Sequence, residues 1–265
     1  MTTVDPRFEG IRRLYGDQGL VLIQSLHICV VGIGGVGSWV VEALTRSGVG
    51  ELTLVDYDTI AISNTNRQIH AMTSTVEQKK ITVIAERCRD INPAIKLNLI
   101  DDFITLDNMA DILERGYHYV VDAIDSIKFK AGIINHCKRN KIPMITTGGA
   151  GGLTDTTMIE IVDLSKTYND ALAAKVRSRL RDEYGFTRNT KKSFGIDCVF
   201  SRQQPVYPKT DGTVSHAKPG IHGVSLDCRF GYGTATHVTA SFGFMAASRV
   251  IEKSMKKYKV VDAQQ

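Results

Sequence analysis

The residues best suited to chemistry lie in the first half of the chain. Gly32-Ile33-Gly34-Gly35-Val36-Gly37 follows the apolar run His27-Ile28-Cys29-Val30-Val31 and precedes a helix-forming stretch. In that context Gly32 permits a tight turn, Gly34 lets the backbone approach phosphates, and Gly37 lets helix and strand pack closely, with Gly35 adding to the loop. The helix behind the loop offers unpaired N–H groups and a partial positive charge to an anion. Asp56 lies at the tip of the next apolar run, Leu52-Thr53-Leu54-Val55. It comes after Gly37 by about 20 residues, the spacing at which an acidic side chain accepts ribose hydroxyls.

This fingerprint serves NAD and ATP equally. The residues after Asp56 separate the two. Asp56-Tyr57-Asp58 leads into Ser63-Asn64-Thr65-Asn66-Arg67-Gln68, a concentration of amide and guanidinium donors that a redox cofactor does not need. An enzyme splitting ATP between its α- and β-phosphates does need it, because negative charge builds on the leaving pyrophosphate. Arg67 can clamp phosphate in a two-pronged fork, and Lys80 can add a point charge.

The elements that must position these residues alternate along the chain. Residues 1–26 read as a helical entry and 27–31 as a buried strand. A helix is expected from Ser38 to Ser47, with Gly48 and Gly50 as stop signals. Helices are expected at Val76–Ile91, Leu106–Arg115 and Phe129–Asn140, and strands at 52–55, 96–100, 119–121 and 144–147. This pattern predicts an α/β chain: a doubly wound, Rossmann-like, mostly parallel sheet with helices on both faces and ligands at the strand C-termini. After Gly148-Gly149-Ala150-Gly151-Gly152 the character changes. Residues 158–162 read as one more strand, Ala171–Tyr184 as a basic helix, the stretch to about 232 as polar, and Thr234–Met255 as a final helix. The expected divisions are a helical segment over 1–26, a nucleotide-binding domain over 27–152, and a C-terminal extension over 153–265 that completes the fold.

Composition sets the outer bounds. With 265 residues, 43% hydrophobic and 23% charged, the chain has the profile of a soluble globular protein. Its formal charge of +5 admits an anionic partner without selecting one. Cys29, Cys88, Cys137, Cys198 and Cys228 are scattered, with no C-x-x-C pair. This argues for reduced thiols and a cytoplasmic protein. The N-terminus lacks the basic region and apolar run of a signal peptide. The small-residue-rich stretch 233–251 carries His237 and Arg249 and reads as a buried helix rather than a membrane span.

Gly32-x-Gly34-Gly35-Val36-Gly37-Ser38, Asp56-x-Asp58, Asn64-x-Asn66-Arg67-Gln68, Lys80, Ile91-Asn92-Pro93 and Asp122-x-x-Asp125 occur in a distinctive order. Over residues 7–150 the chain resembles the ubiquitin-activating-enzyme-like superfamily, close to its thiamine- and molybdopterin-pathway adenylyltransferases. The resemblance implies that Asp56 binds ribose, Arg67 and Lys80 bind the phosphates, and Asp125 holds the Mg²⁺ that accompanies ATP. Asp58, Asn64, Asn66 and Gln68 fall in the same nucleotide-binding set. Mg²⁺ is a hard ion usually held by one or two carboxylates plus phosphate oxygens, which agrees. Asp122 reads either as a strand-end cap or as a direct participant. Arg13, in Arg13-Leu14-Tyr15-Gly16, matches an arginine that reaches the partner protomer's ATP, which implies a homodimer.

The cousins that adenylate ubiquitin-like carboxyl termini usually carry two C-x-x-C pairs, absent here. Instead, Thr146 to Gly152, Ala173-Ala174-Lys175-Val176-Arg177, Asp197-Cys198-Val199-Phe200-Ser201 and Tyr207-Pro208 resemble the family of tRNA threonylcarbamoyladenosine dehydratases. One departure is Asp170-Ala171-Leu172, where that family has Asp-Pro-Leu; losing the proline softens the helix start. The resemblance implies ATP-dependent cyclisation of N6-threonylcarbamoyladenosine in tRNA through an acyl-adenylate. The alternative is adenylation of a ubiquitin-like sulfur-carrier protein. Cys198 lies where ubiquitin-like-protein activators place a thioester cysteine, and a buried structural thiol is the commoner fate of such a residue. Cys228 reads the same way. A sulfur-transfer partner protein docking near Cys198 stays open. Lys175, Arg177, Arg179 and Arg181, followed by Arg188, Lys191 and Lys192, could track tRNA phosphates or form a solvated helix face. Tyr168, Tyr184 and Phe186 read as core residues first and base-stacking residues second.

Overall fold

The computed structural model describes residues 5–209, 211–217 and 233–257. Helix α1 (Glu9–Ser25) breaks at Gly16, whose φ is 75°, and leads into β1 (His27–Val31). There follow α2 (Gly37–Arg46), β2 (Glu51–Val55), α3 (Lys80–Ile91), β3 (Lys96–Ile100), α4 (Met109–Leu113), β4 (Tyr119–Asp122), α5 (Ile127–Arg139) and β5 (Met144–Thr147). Beyond them come β6 (Ile159–Asp163), α6 (Ala171–Glu183), β7 (Asp197–Ser201), a small hairpin of β8 (Tyr207–Pro208) and β9 (Val214–Ser215), and α7 (Thr236–Lys257).

The main sheet has seven strands in the order β3-β2-β1-β4-β5-β7-β6, and within it only the β6–β7 pairing is antiparallel. The apolar strands are buried on both faces, as parallel strands must be when helices cover each side. Their alternating residues divide between two cores. Ile28, Val30, Leu52, Leu54, Val121 and Ile145 pack under α2, α3 and α7. Cys29, Val31, Val120 and Phe200 pack under α4, α5 and α6. The strand order reverses between β1 and β4. There the connections leave to opposite sides, so a crevice opens beyond the strand C-termini.

Several elements differ from expectation. The helix expected over 76–91 begins at Lys80, because Lys79 is held in a bridge to Thr59 and Glu77 has a φ of 69°. The helix expected over 106–115 shortens to Met109–Leu113. The stretch read as polar contains β7, which inserts between β5 and β6. Its apolar run is only Cys198-Val199-Phe200, too short to stand out from its polar flanks. The final helix is a core element: Val238, Phe242, Ala246 and Val250 are all fully buried. Among the described residues, no helix is long and apolar enough to cross a membrane.

Candidate functional site

Gly32 makes the turn at the end of β1 with a φ of 84°, and its N–H donates to Val55 O at 2.9 Å. A Cβ on Gly37 would lie 1.8 Å from the Gly32 carbonyl oxygen. No side chain fits there, so the first turn of α2 can sit directly against the loop. The Ser38 N–H donates to Gly34 O at 3.1 Å, and the Trp39 and Val40 N–H groups to Val36 O at 3.1 and 3.2 Å, which folds the glycine loop onto the start of α2.

Asp56 closes the other wall. Its Oδ2 accepts from the Ile33 N–H at 2.7 Å and its Oδ1 from the Asp58 N–H at 2.9 Å. Burial raises its pKa, against the downward pull of Lys80 and the two backbone donors. Lys80 opens α3, and its Nζ donates to Asp58 Oδ2 at 2.6 Å. The lysine side chain is 6% exposed and the aspartate 46%, so this pair is open to exchange on one side only. Asn64 is buried, and its Oδ1 accepts from the Ala61 N–H at 3.1 Å. Gln68 is buried 3.8 Å from the Cβ position of Gly34, and its Oε1 has no hydrogen-bond partner.

Arg67 lays its side-chain stem over Gly35 and turns its Nη1 back to Ser63 O at 2.7 Å and Asn66 Oδ1 at 3.1 Å. Its carbonyl accepts from Trp39 Nε1 at 3.1 Å and Thr239 Oγ1 at 3.2 Å. Asn66 reaches Thr234 instead of the crevice, donating to its carbonyl at 2.8 Å. The start of α7 is thus fastened to the arginine segment from the far end of the chain. Sequence reasoning missed this, and nothing local to Trp39 or Thr239 signals it.

Asp125 sits across the crevice, exposed in the loop between β4 and α5. The Tyr57 hydroxyl pKa is pushed up, first by Asp58, then by burial and by Asp56 and Asp125. Asp56 and Asp58 follow the end of β2 and Asp125 follows the end of β4, each close enough to act on Tyr57. No cluster of three or more metal-ligating side chains occurs among the described residues. Such a donor set fits a Mg²⁺ ion that takes most of its ligands from phosphate and water.

Asp122 is tied up elsewhere. It is fully buried and accepts from Lys130 Nζ at 2.9 Å and Thr146 Oγ1 at 2.6 Å. His70 was also missed by sequence reasoning. It is fully buried with neither ring nitrogen partnered, and burial, reinforced by Lys80, lowers its pKa to about 4.

Arg13 is not brought to this cluster within the chain. Its side chain is 75% exposed and pairs with Glu9 at 3.3 Å. The turn before α1 packs Phe8 on Gly48, so both ends of that segment lie where β1 and β2 begin, opposite the crevice. Cys198 is fully buried in β7, and burial pushes its thiol well above the ordinary range. Cys228 lies outside the described residues.

The basic stripe is largely occupied. Arg179 pairs with Glu183 at 2.9 Å, Arg188 with Asp182 at 2.5 Å, Arg177 contacts Thr167, and Arg181 lies 5.5 Å from the Phe194 ring centre. Lys175, Lys191 and Lys192 are exposed. Tyr184 and Phe186 pack against the core, whereas Tyr168 is 48% exposed and edge-on to Phe200 at 5.4 Å. Despite Ala171, helix α6 starts where expected, because Asp170 Oδ1 caps the Ala173 N–H at 2.9 Å.

A doubly wound sheet with a glycine turn and an acidic strand tip at its switch point defines a Rossmann-like α/β protein of the nucleotide-binding kind. More narrowly, the chain belongs to the ThiF family, whose model matches residues 9–262. It is 52% identical over 252 residues to the tRNA threonylcarbamoyladenosine dehydratase of Escherichia coli K12, covering 95% of this chain and 94% of that protein. It is 54% identical over 254 residues to the protein of that name from Haemophilus influenzae, covering 96% and 95%. The solved structure of E. coli tRNA N6-threonylcarbamoyladenosine dehydratase, TcdA, in complex with ATP matches with a TM-score of 0.85 at 48% identity. That match covers 98% of this chain and 96% of the other.

Proposed function

We propose that this chain uses ATP to dehydrate N6-threonylcarbamoyladenosine in tRNA, closing the threonyl side chain into a ring. The observation that carries the reading is similarity running through both halves of the chain: about half of all positions match dehydratases over 95–96% of its length. The crevice geometry supports it. Asp56 presents a carboxylate held by two backbone donors, suited to ribose hydroxyls. Lys80 and Arg67 are cations whose present partners are exchangeable, suited to phosphate oxygens. Asn64, Asn66 and Gln68 shape the segment that carries Arg67.

In the first step a threonyl carboxylate oxygen attacks the α-phosphorus of ATP, and pyrophosphate leaves. In the second, the carbamoyl group of the same side chain attacks the acyl carbon, loses a proton and expels AMP. One carboxylate oxygen departs on AMP, so the nucleoside loses the elements of water. Because both reacting groups belong to one side chain, proximity favours closure without a covalent enzyme intermediate. Asp125, with phosphate oxygens, would hold Mg²⁺, which supplies charge neutralisation on the triphosphate. Arg13 would act across a homodimer, in the crevice of a second copy. The buried Cys198 thiol has no part in this route.

The test is to incubate the protein with ATP, Mg²⁺ and threonylcarbamoylated tRNA, then weigh the nucleoside and assay AMP and pyrophosphate. Loss of one water with one AMP per nucleoside is expected. An unchanged nucleoside mass with no AMP overturns the reading.

A further inference from the structure

The loop carrying Asp125 has only the residues Ala123 to Ser126 between β4 and α5, and it is braced at both ends. Asp122, the last residue of β4, accepts from the Ile124 N–H through Oδ1 at 3.3 Å. The Ala123 N–H donates to Val31 O at 2.9 Å, tying the loop to the end of β1. Downstream, the Lys130 N–H donates to Ser126 O at 2.8 Å. The two ends are then joined through space: Lys130 Nζ donates to Asp122 Oδ2 at 2.9 Å and to its carbonyl at 3.4 Å. The lysine side chain is 2% exposed and the aspartate 0%.

Thr146 on β5 donates to the same Oδ2 at 2.6 Å, and Thr147 Oγ1 to the Asp122 carbonyl at 3.4 Å. The next residues of that strand, Gly148 and Gly149, rest on the Asp170 cap of α6. The Gly149 N–H donates to Asp170 Oδ2 at 3.0 Å, and a Cβ on Gly148 would come within 1.9 Å of that oxygen. One buried lysine–aspartate pair therefore ties the Asp125 loop to α5, to β5 and, through β5, to the start of α6.

A buried ion pair adds little net stability over apolar residues of similar volume, because desolvation offsets most of the attraction. Its distinctive property is fixed geometry. We propose that Asp122 and Lys130 are positioning residues that hold the Asp125 carboxylate at the distance from the glycine loop needed to engage a divalent cation on bound ATP. The inference rests on Asp125 as the Mg²⁺ ligand of the proposed reaction and assigns the loop's geometry to a pair outside the crevice.

The test replaces the brace with apolar residues in Asp122→Leu/Lys130→Met/Thr146→Val, which removes the three side-chain partners together and leaves only the part-buried Ile124 N–H without its acceptor. Thermal unfolding within a few degrees of wild type is expected, as is unchanged ATP affinity in EDTA, since Asp56, Arg67 and Lys80 are untouched. Mn²⁺ affinity is then measured by water-proton relaxation in the complex with a non-hydrolysable ATP analogue. It should weaken by about tenfold or more, the scale of lost support behind a metal ligand. Turnover should fall by about 100-fold, the cost of roughly ångström misplacement. Thr146→Val alone removes one hydrogen bond, keeps the ion pair and should show a smaller loss of Mn²⁺ affinity, so it serves if the triple variant does not fold. Wild-type Mn²⁺ affinity in either folded variant overturns the inference. A wild-type protein that makes no AMP from ATP and modified tRNA would instead overturn the functional reading, leaving the brace to be judged by Mn²⁺ affinity.

Discussion

Two lysine–aspartate pairs stand at the same edge of the sheet and differ in how far water reaches their carboxylates. Lys80 and Asp58, between β2 and α3, meet at 2.6 Å with the aspartate 46% exposed. Lys130 and Asp122, between β4 and α5, meet at 2.9 Å with both partners sealed. The chemistry of the pairs is the same, and burial of the acid separates them. An ammonium whose partner is solvated can exchange that carboxylate for a phosphate at little cost. An ammonium whose partner is sealed cannot, and holds the chain in place. A lysine–aspartate pair at the mouth of a nucleotide crevice is thus a ligand site or a brace according to the exposure of its carboxylate.

The comparison predicts opposite outcomes for one substitution. Lys130→Met leaves Asp122 charged and unpaired in the core and should cost about 3–5 kcal/mol of stability. Lys80→Met leaves a half-exposed Asp58 and should cost within about 1 kcal/mol from the lost pair. Urea unfolding of the two variants decides it, and equal losses would erase the distinction.

Activity should sharpen the contrast from the other side. Lys80→Met should lower AMP formation by about 100- to 1000-fold, the effect of removing a donor aimed at developing charge. Turnover within a few-fold of wild type would remove Lys80 from the phosphate site.

His70 lies beside the exchangeable pair and probes how dry its floor is. In the unfolded chain it takes up a proton near its ordinary 6.5, whereas in the fold it stays neutral down to about 4. The unfolded state then holds more protons between those values, so stability falls as pH drops through that window, by about 3 kcal/mol at most. His70→Gln should lose correspondingly less stability between pH 7 and 4.5. Identical acid losses in variant and wild type would mean the ring is solvated.

The smallest effect is expected at Cys198. Its thiol is sealed behind the brace, so Cys198→Ala should leave turnover within about twofold of wild type, well under 1 kcal/mol in the barrier. A large loss of turnover with the fold intact would restore the thioester reading.

Much of the crevice was legible before folding. Gly32 and Gly37 answer to a local steric rule, and Asp56 to the spacing between one strand end and the next. Strands β1, β2, β4 and β5 were readable because burial on both faces writes them as continuous apolar runs. Strand β7 was not, since its apolar core is brief and its neighbours, β5 and β6, are both remote in sequence. Asp122 was seen, but its role stayed undecided because Lys130 lies about one helical turn beyond the loop and Thr146 on another strand. Tyr168 read as core by its type, yet only the path of residues 167–170 along the end of β7 leaves it half exposed.

The sequence by itself determined the class of fold, the glycine turn, the order of the acidic and basic residues around it, and the resemblance that points to tRNA. Those features are set by periodicity and short spacings, which the chain carries locally. Only the tertiary structure decided which lysine can exchange its partner, which aspartate is sealed, and that α7 returns to fasten Arg67. Each of these depends on how far water is excluded around a charge, and that is a property of elements brought together from distant parts of the chain.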